Sequence, residues 1–316
     1  MSVGDVERGH IPVLAEPVLE LLSPAGGQVV VDATVGLAGH AELLAQRLDR
    51  GGLLIGLDVD DGNLERAGAR LSGVRPRVVL RRENFAELAN VLSELGVARA
   101  DIILADLGIS SAQLDDADRG FSFLRDGPLD MRMDTRASRT AADLVNRLRE
   151  DELSDLIYQN SQEHFSRRIA RRICEGRRNQ RITTTARLAE LVSSALRVDP
   201  RSRRSKIHPA TRTFQALRIA VNDELGNLSR LLEQAPGCLN AGGRVGIISF
   251  HSLEDGLVKR SFLEQRQAGV YEIVTKRPVV ASAEERAANP RSRSAKLRVA
   301  GRIGPASPSE FEGRSR

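Results

Sequence analysis

The sequence has no apolar run long enough to cross a membrane, and it contains little cysteine. No stretch approaches the roughly 20 consecutive apolar residues of a membrane span. The first residues, MSVGDVERGHIPVL, lack the basic segment and apolar core of a secretory signal. Cys174 and Cys238 lie far apart, and neither has a CxxC partner. We therefore expect no disulfide framework, no zinc site and no membrane association, and we expect a protein of the reducing cytoplasm.

Positive charge is concentrated in one region of the chain. The protein has a net charge of +5, but residues 164–218 contain 15 Lys and Arg against 3 Asp and Glu, which gives this region +12 and the remainder −7. Such asymmetry indicates a polyanionic partner such as a nucleic acid. The alternative interpretation is an ordinary solvated helical face.

Strand and helix patterns alternate through the first hundred residues. Strands are predicted at 28–32, 53–58, 78–80 and 101–106, with helices at 39–48, 63–71 and 86–95. This alternation is typical of βαβ units and a parallel sheet. Only helix patterns follow from about 137 to 198. The alternation then resumes with a helix at 213–235, a strand at 243–250, a helix at 253–265 and closing strands at 271–275 and 295–299.

The predicted fold class is therefore α/β, with a doubly wound Rossmann-like sheet and an inserted all-helical domain after the fourth strand. At 316 residues the chain is long enough for about two domains. The first part of the sheet domain is predicted at 10–134, the insertion at 135–207 and the second part at 208–302. Residues 303–316 are rich in Pro, Ser and Gly and are predicted to be a disordered tail.

A glycine-containing turn, DATVGLAGH, follows the first predicted strand and opens a helix. A doubly wound fold binds its cofactor at this position, but the GxGxxG pattern of NAD and FAD sites is absent. Asp58 ends the second strand, where a carboxylate accepts hydrogen bonds from ribose hydroxyls; a helix cap is the alternative role. Phe85 follows the third strand and could pack on an adenine, or could belong to the core. A cofactor with ribose and adenine but no pyrophosphate cradle is most economically S-adenosylmethionine.

Residues 106–134 form a long loop of unusual composition after the fourth strand. Seven aspartates occur there together with Phe121, Phe123, Met131 and Met133. A solvated connector has no need of these apolar side chains, and long loops are usually functional. We expect this loop to build a pocket at the carboxyl end of the strand.

Six segments carry a family resemblance over residues 10 to about 302. They are HIPVL at 10–14, DATVGLAGH at 32–40, DLGISSAQLDDADRGFSFLRDGPLDMRMD at 106–134, HPATRTFQALRIAVNDEL at 208–225, GGRVGIISFHSLED at 242–255 and NPRSRSAKLR at 289–298. In these segments the chain resembles the bacterial small-subunit ribosomal RNA cytosine-N4 methyltransferases, the MraW/RsmH family. The resemblance implies N4-methylation of a cytidine in 16S ribosomal RNA, S-adenosylmethionine as cofactor, and 16S RNA or the small ribosomal subunit as partner. We expect no metal, and either a monomer or a homodimer.

The resemblance also implies a set of cofactor-binding residues: Ala38, Gly39, His40, Asp58, Phe85, Asp106 and Gln113. The chain departs from the family pattern at three places. Ala38 stands where the family usually has glycine, and its methyl group is expected to crowd the methionine moiety unless its φ is negative. Residues 159–165 read QNSQEHF where the family usually has YGEER, and Gly256 replaces the arginine after SFHSLED.

Methyl transfer to a cytosine amine requires precise alignment, because the lone pair of the amine is delocalised into the ring. A group that accepts the amine proton would help, and Asp106 is the first candidate, with Asp130 and His251 as alternatives. A structural hydrogen-bonding role is the other interpretation for His251. Phe121 or Phe123 could stack on the target base, or could belong to a helical core.

The predicted insertion carries the candidate RNA-binding residues. These are Arg167, Arg168, Arg171, Arg172, Arg203, Arg204 and Lys206. A basic stripe of this kind binds phosphates without reading sequence. Two other functions remain open: methylation of a different nucleic-acid amine such as adenine N6, and a non-catalytic RNA-binding assembly factor with the same fold.

Overall fold

The structure is a computed structural model, and it describes residues 12–197 and 208–304. The chain divides into two compact units, one formed by Met1–Gly108 with Asn227–Arg316 and the other by Ile109–Gly226. None of the helices in the described residues is long and apolar enough to cross a membrane.

The first unit contains one sheet, which in the described part of the chain has eight strands. They are β1 (Val29–Asp32), β2 (Leu53–Asp58), β3 (Arg77–Arg82), β4 (Ala100–Asp106), β5 (Leu239–Ser249), β6 (Tyr271–Ile273), β7 (Val279–Val280) and β8 (Lys296–Arg302). The strand order is β3-β2-β1-β4-β5-β8-β6, and β7 also pairs with β8. The first five strands pair in parallel, whereas β8 runs antiparallel to β5, β6 and β7. The predicted α/β sheet is thus confirmed, and β7 is an addition that the sequence patterns did not indicate.

The helices of both units follow in chain order. They are α1 (Ala15–Leu22), α2 (Gly39–Ala45), α3 (Asp61–Arg70), α4 (Leu88–Glu94), α5 (Ser111–Asp115), α6 (Ala141–Arg147), α7 (Glu150–Ser161), α8 (Ser166–Asn179), α9 (Thr185–Leu196), α10 (Thr211–Asn222), α11 (Glu224–Cys238), α12 (Ser252–Gln267) and α13 (Ala283–Ala288).

The parallel strands of the first unit are buried on both faces. Val31, Ile55 and Ile103 belong to one core cluster, whereas their neighbours Val30 and Leu54 belong to a second. Side chains alternate between the faces of a strand, so each strand needs apolar residues at successive positions. This explains the continuous apolar runs from which the strands were predicted.

The second unit is larger than the insertion predicted at 135–207. Its core includes Phe121 and Met131 from the loop before α6 and Phe214 and Leu217 from α10. These side chains fill the space between the helices, and the compact unit therefore begins at Ile109 and ends at Gly226.

The single helix predicted at 213–235 is wrong. The chain forms α10 and α11 instead, and Asp223 between them has φ +48°, in the left-handed region. A left-handed residue ends a helix, and aspartate tolerates this conformation better than most residues. Of the tail predicted at 303–316, residues 305–316 lie outside the described part of the chain.

Candidate cofactor site

Three aspartates end three neighbouring strands of the first unit. Asp32 ends β1, Asp58 ends β2 and Asp106 ends β4. Because β1 pairs in parallel with both β2 and β4, all three carboxylates lie at the same edge of the sheet. We call Asp32, Asp58 and Asp106 the acidic trio. This edge is where doubly wound sheets bind ligands.

The turn after β1 connects the three strand ends. The Thr34 amide donates to Oδ1 of Asp32 at 3.1 Å, and the Thr34 hydroxyl oxygen accepts from the amide of Asp106 at 2.6 Å. The Gly36 amide donates to Oδ2 of Asp58 at 3.0 Å. Gly36 has φ +48°, a conformation that costs glycine little. The Thr34 hydroxyl thus makes a link that a glycine at this position could not make.

Ala38, Gly39 and His40 enter α2 directly after this turn. Ala38 is buried and has φ +61°. Its φ is therefore not negative, and its methyl group is still expected to crowd the methionine moiety of the donor. A non-glycine residue in this region costs roughly 1–2 kcal/mol. A Cβ added at Gly39 would lie 3.3 Å from Cβ of Pro12, and glycine therefore permits this close packing. His40 is buried, and its Nε2 lies 3.5 Å from Oδ2 of Asp106.

Burial makes ionisation of the acidic trio unfavourable. It raises the pKa of Asp32 to about 7, with a further contribution from the charge of Asp58. Burial likewise raises the pKa of Asp58 to about 6, against hydrogen bonds from Asp60 and Asn63. The pKa of Asp106 is raised well above its usual value by burial and by the nearby carboxylates of Asp32 and Glu254.

The acidic trio fits a cationic ligand that also donates hydrogen bonds. Among residues 12–197 and 208–304, no Lys or Arg forms an ion pair with any of its members. Oδ1 of Asp106 is buried and has no hydrogen-bond partner there. Buried charges are normally paired, so this arrangement favours a ligand that brings positive charge and donors. S-adenosylmethionine has both, in its sulfonium and ammonium groups and its ribose hydroxyls.

Phe85 lies at the same end of the sheet, just after β3. It begins a 3-10 turn, Phe85–Glu87, in which the side chain of Asn84 accepts a hydrogen bond from the amide of Ala86. Phe85 is partly buried and packs against the core of the first unit. Its position is consistent with an adenine contact, which stays a prediction.

Gln113 and Asp130 belong to the second unit. The side chain of Gln113 accepts a hydrogen bond from the amide of Ser110 at 3.1 Å and so completes the cap of α5. Asp130 forms two hydrogen bonds of 2.7 Å with the guanidinium group of Arg132. Although partial burial acts in the opposite direction, these bonds hold the pKa of Asp130 below its usual value. The structure thus gives Asp130 an ion-pair role, and a carboxylate with a lowered pKa is a weak proton acceptor.

His251 caps α12, directly after β5. Its Nδ1 accepts a hydrogen bond from the amide of Glu254 at 3.3 Å, and its Nε2 lies 3.1 Å from Oε1 of the same glutamate. Glu254 is buried, and its Oε2 accepts from the amide of Phe250 at 2.8 Å. His251 therefore orders the β5–α12 junction, and both of its ring nitrogens face Glu254.

The prediction that Phe121 or Phe123 could stack on a target base is not supported. Phe121 is 7% exposed and lies in the core of the second unit. The Phe123 ring stacks on His208 at 4.4 Å and contacts the edge of Phe214 at 4.9 Å between ring centroids. Phe121 belongs to the buried core and Phe123 is partly buried against it, which favours the core alternative raised for them. The apolar residues of the 106–134 loop thus help to build a hydrophobic core.

A doubly wound sheet with an acid at the end of the second strand and no dinucleotide motif fits a Rossmann-like methyltransferase, and the family comparison shows that class. The chain belongs to the MraW methylase family, whose model matches residues 7–303. It is therefore a methyltransferase, and S-adenosylmethionine is its methyl donor.

Relatives cover nearly the whole chain. A protein of Acidobacterium capsulatum is 47% identical over 298 residues, which are 92% of this chain and 97% of that protein. A protein of Geobacter sulfurreducens is 49% identical over 312 residues, which are 93% of this chain and 99% of that protein. Each is named "Ribosomal RNA small subunit methyltransferase H". The resemblance described from the sequence is thus confirmed.

Proposed function

We propose that this protein transfers a methyl group from S-adenosylmethionine to the N4 amine of a cytidine in 16S ribosomal RNA. The observation that carries the proposal is the acidic trio, three strand-end carboxylates that form no ion pair with a Lys or Arg of the described residues, in a chain of the MraW methylase family. The names of the relatives support small-subunit RNA as the substrate. The activity would reside in the cytoplasm, where ribosomal subunits are assembled.

The chain contributes binding, orientation and a proton acceptor. The bound donor supplies a methyl group that is electrophilic because it is attached to a sulfonium. Asp58 would accept hydrogen bonds from the ribose hydroxyls of the donor, and the amides of Thr34 and Gly36 hold the carboxylates of Asp32 and Asp58 in place. Oδ1 of Asp106 has no hydrogen-bond partner within the described residues and is the proposed acceptor for the amine proton. Its raised pKa makes it a stronger base than an exposed aspartate.

The second unit is proposed to bind the RNA backbone through α8. Arg167, Arg168 and Arg171 are exposed, at a spacing that places them along one side of this helix. Arg172 is more enclosed, with hydrogen-bond and ion-pair contacts to Ser194 and Glu175 at 3.3 and 3.6 Å. The remaining candidates, Arg203, Arg204 and Lys206, lie outside the described residues.

Mass mapping of 16S RNA tests the proposed function. RNA from cells without the gene product should lack one N4-methylated cytidine, and the purified protein with S-adenosylmethionine should restore it. Methylation of adenine instead would indicate another nucleic-acid amine as the target. RNA binding without any calorimetric signal for the donor would indicate a non-catalytic assembly factor.

Replacing Asp58 by alanine is expected to weaken donor binding at least tenfold, which corresponds to about 1.4 kcal/mol. The substitution removes the acceptor for the ribose and also the partner of the Gly36 amide. Isothermal titration with S-adenosylmethionine measures the change. Asp61→Ala is the matched control, because Asp61 is exposed and pairs with Arg82 on the surface. Equal donor affinity of the Asp58 variant and the unsubstituted protein would refute the ribose assignment.

A further inference from the structure

The second unit exposes aromatic rings where α7 is followed by α8. Phe165 is 55% exposed and Tyr158 is 51% exposed. His164 is also exposed, and its ring centroid lies 6.4 Å from that of Tyr158. Phe165 follows His164 directly in the chain, so three exposed aromatic residues occur close together where α7 is followed by α8, and clustered exposed apolar surface is a feature of interaction sites. We call Tyr158, His164 and Phe165 the aromatic patch.

The exposure of Phe165 is a consequence of an ordered turn. Oε1 of Glu163, a residue only 6% exposed, accepts a hydrogen bond from the Phe165 amide at 3.0 Å. The other carboxylate oxygen of Glu163 lies 3.6 Å from Nη1 of Arg212. The Phe165 carbonyl oxygen accepts from the amides of Arg168 and Ile169 at 3.0 Å. The backbone of Phe165 is thus held on both sides, while its side chain is exposed to solvent.

Positive charge borders the aromatic patch. Arg167 and Arg168 follow Phe165 on the first turn of α8, and both are exposed. Neither forms an ion pair with another described residue, whereas Arg171, one turn further, lies 3.5 Å from Glu150. One exposed acid, Asp155, lies one turn before Tyr158 on α7. The two unpaired guanidinium groups thus dominate the side of the patch formed by α8.

This combination fits an unpaired stretch of RNA better than it fits a protein. Single-stranded nucleic acids bind where bases stack on aromatic rings while their phosphates contact arginines. An apolar protein surface placed on the rings would bury Arg167 and Arg168 without partners, which is costly. The two phenylalanines first considered for base stacking, Phe121 and Phe123, already pack inside the second unit.

We propose that the aromatic patch stacks one or two unpaired bases of the RNA substrate, while Arg167 and Arg168 bind the adjoining phosphates. The proposal rests on the proposed function, because it takes the RNA as substrate. The contact is a binding contact, and the stacked bases are distinct from the base that is methylated.

The tyrosine content of the chain provides a direct probe. The sequence has no Trp and two Tyr, and Tyr271 is 1% exposed with its ring packed against Phe262. In a Tyr271→Phe background all tyrosine emission comes from Tyr158. This protein is titrated with a single-stranded oligouridylate of about ten nucleotides, within the site size of one binding surface. An abasic oligomer of the same length, with equal charge and no bases, is the comparison.

The base-bearing oligomer should quench Tyr158 emission and bind at least fivefold more tightly than the abasic one. Stacking contributes about 1–3 kcal/mol per base, so Phe165→Leu should weaken the base-bearing complex by about five- to a hundredfold. The same variant should leave the abasic complex unchanged, because leucine keeps apolar bulk but lacks an aromatic face. Phe165→Trp should restore the affinity. Val280→Ala, which removes apolar surface from the first unit at a side chain 53% exposed, should change nothing.

Three outcomes would overturn the proposal. The first is equal affinity for both oligomers, and the second is unchanged affinity of Phe165→Leu for the base-bearing oligomer. The third is that Phe165→Leu changes only the sedimentation of the RNA-free protein. The last outcome would identify the patch as a contact between two copies of the chain. If the unsubstituted protein methylates 16S RNA but Phe165→Leu keeps full RNA affinity, only the patch proposal fails. If the oligomers behave as expected but no cytidine is methylated, only the proposed function fails.

Discussion

Replacing Asp32 by asparagine is expected to stabilise the free protein and to weaken donor binding at least tenfold. Burial raises the pKa of Asp32 to about 7, so its charge destabilises the folded state at pH 8. Removing that charge should raise the free energy of unfolding by about 2–4 kcal/mol. The asparagine oxygen can still accept from the Thr34 amide, whereas the lost hydrogen bond from the Ala41 amide offsets part of the gain. Donor binding suffers because a cationic ligand loses one of three carboxylates.

The pH dependence of the same variant gives a second measure. The pKa of Asp32 is about 7 in the folded protein and 3.8 in its usual state, so the folded state binds the proton more tightly. The resulting stabilisation is fully present below pH 4 and is lost as pH rises through 7. Urea unfolding between pH 5 and pH 8 should therefore show a stability advantage of Asp32→Asn that grows with pH. Donor binding to the unsubstituted protein should weaken as pH falls through 7 and 6, where Asp32 and Asp58 take up protons.

Asp101→Asn is the matched control for this prediction. Asp101 lies near the amino end of β4, at the opposite end of the strands from the acidic trio. There it accepts hydrogen bonds from the Val29 amide and the Asn240 side chain. Its substitution should leave donor affinity unchanged and should give no gain in stability. A stability gain of equal size in both variants, or unchanged donor affinity of Asp32→Asn, would contradict the assignment of the acidic trio to the donor.

The sheet could be predicted because its strands are buried on both faces. Apolar runs such as VVVD and IILAD are typical of parallel strands buried on both faces, and each ends in an aspartate at the carboxyl end of its strand. The break at Asp223 could not be predicted in the same way, because the apolar spacing of α10 continues into α11. Only the left-handed backbone conformation of Asp223 separates the two helices.

The candidate site could be predicted only as far as strand ends determine it. Asp58 and Asp106 were selected by their positions, and the sheet places them on either side of Asp32. The link from Thr34 to Asp106 joins residues 72 positions apart and has no local signal. Phe121 and Phe123 lie in or against the core of the second unit, and composition alone does not distinguish a pocket from a core.

The double charge reversal of Arg167 and Arg168 to glutamate is expected to weaken RNA binding about a hundredfold at low salt. Each phosphate contact that is lost lowers the slope of log affinity against log salt by about 0.7–0.9, so the slope should fall by roughly 1.5. Both side chains are exposed, so folding and donor binding should survive.

Lys259→Glu with Arg260→Glu is the matched control, since it reverses two adjacent exposed cations on α12 of the first unit. Filter binding from 50 to 300 mM salt measures the slope, and calorimetry measures the donor. Equal losses of RNA and donor affinity would mean that α8 supports the fold, and an unchanged slope would place the phosphate contacts elsewhere.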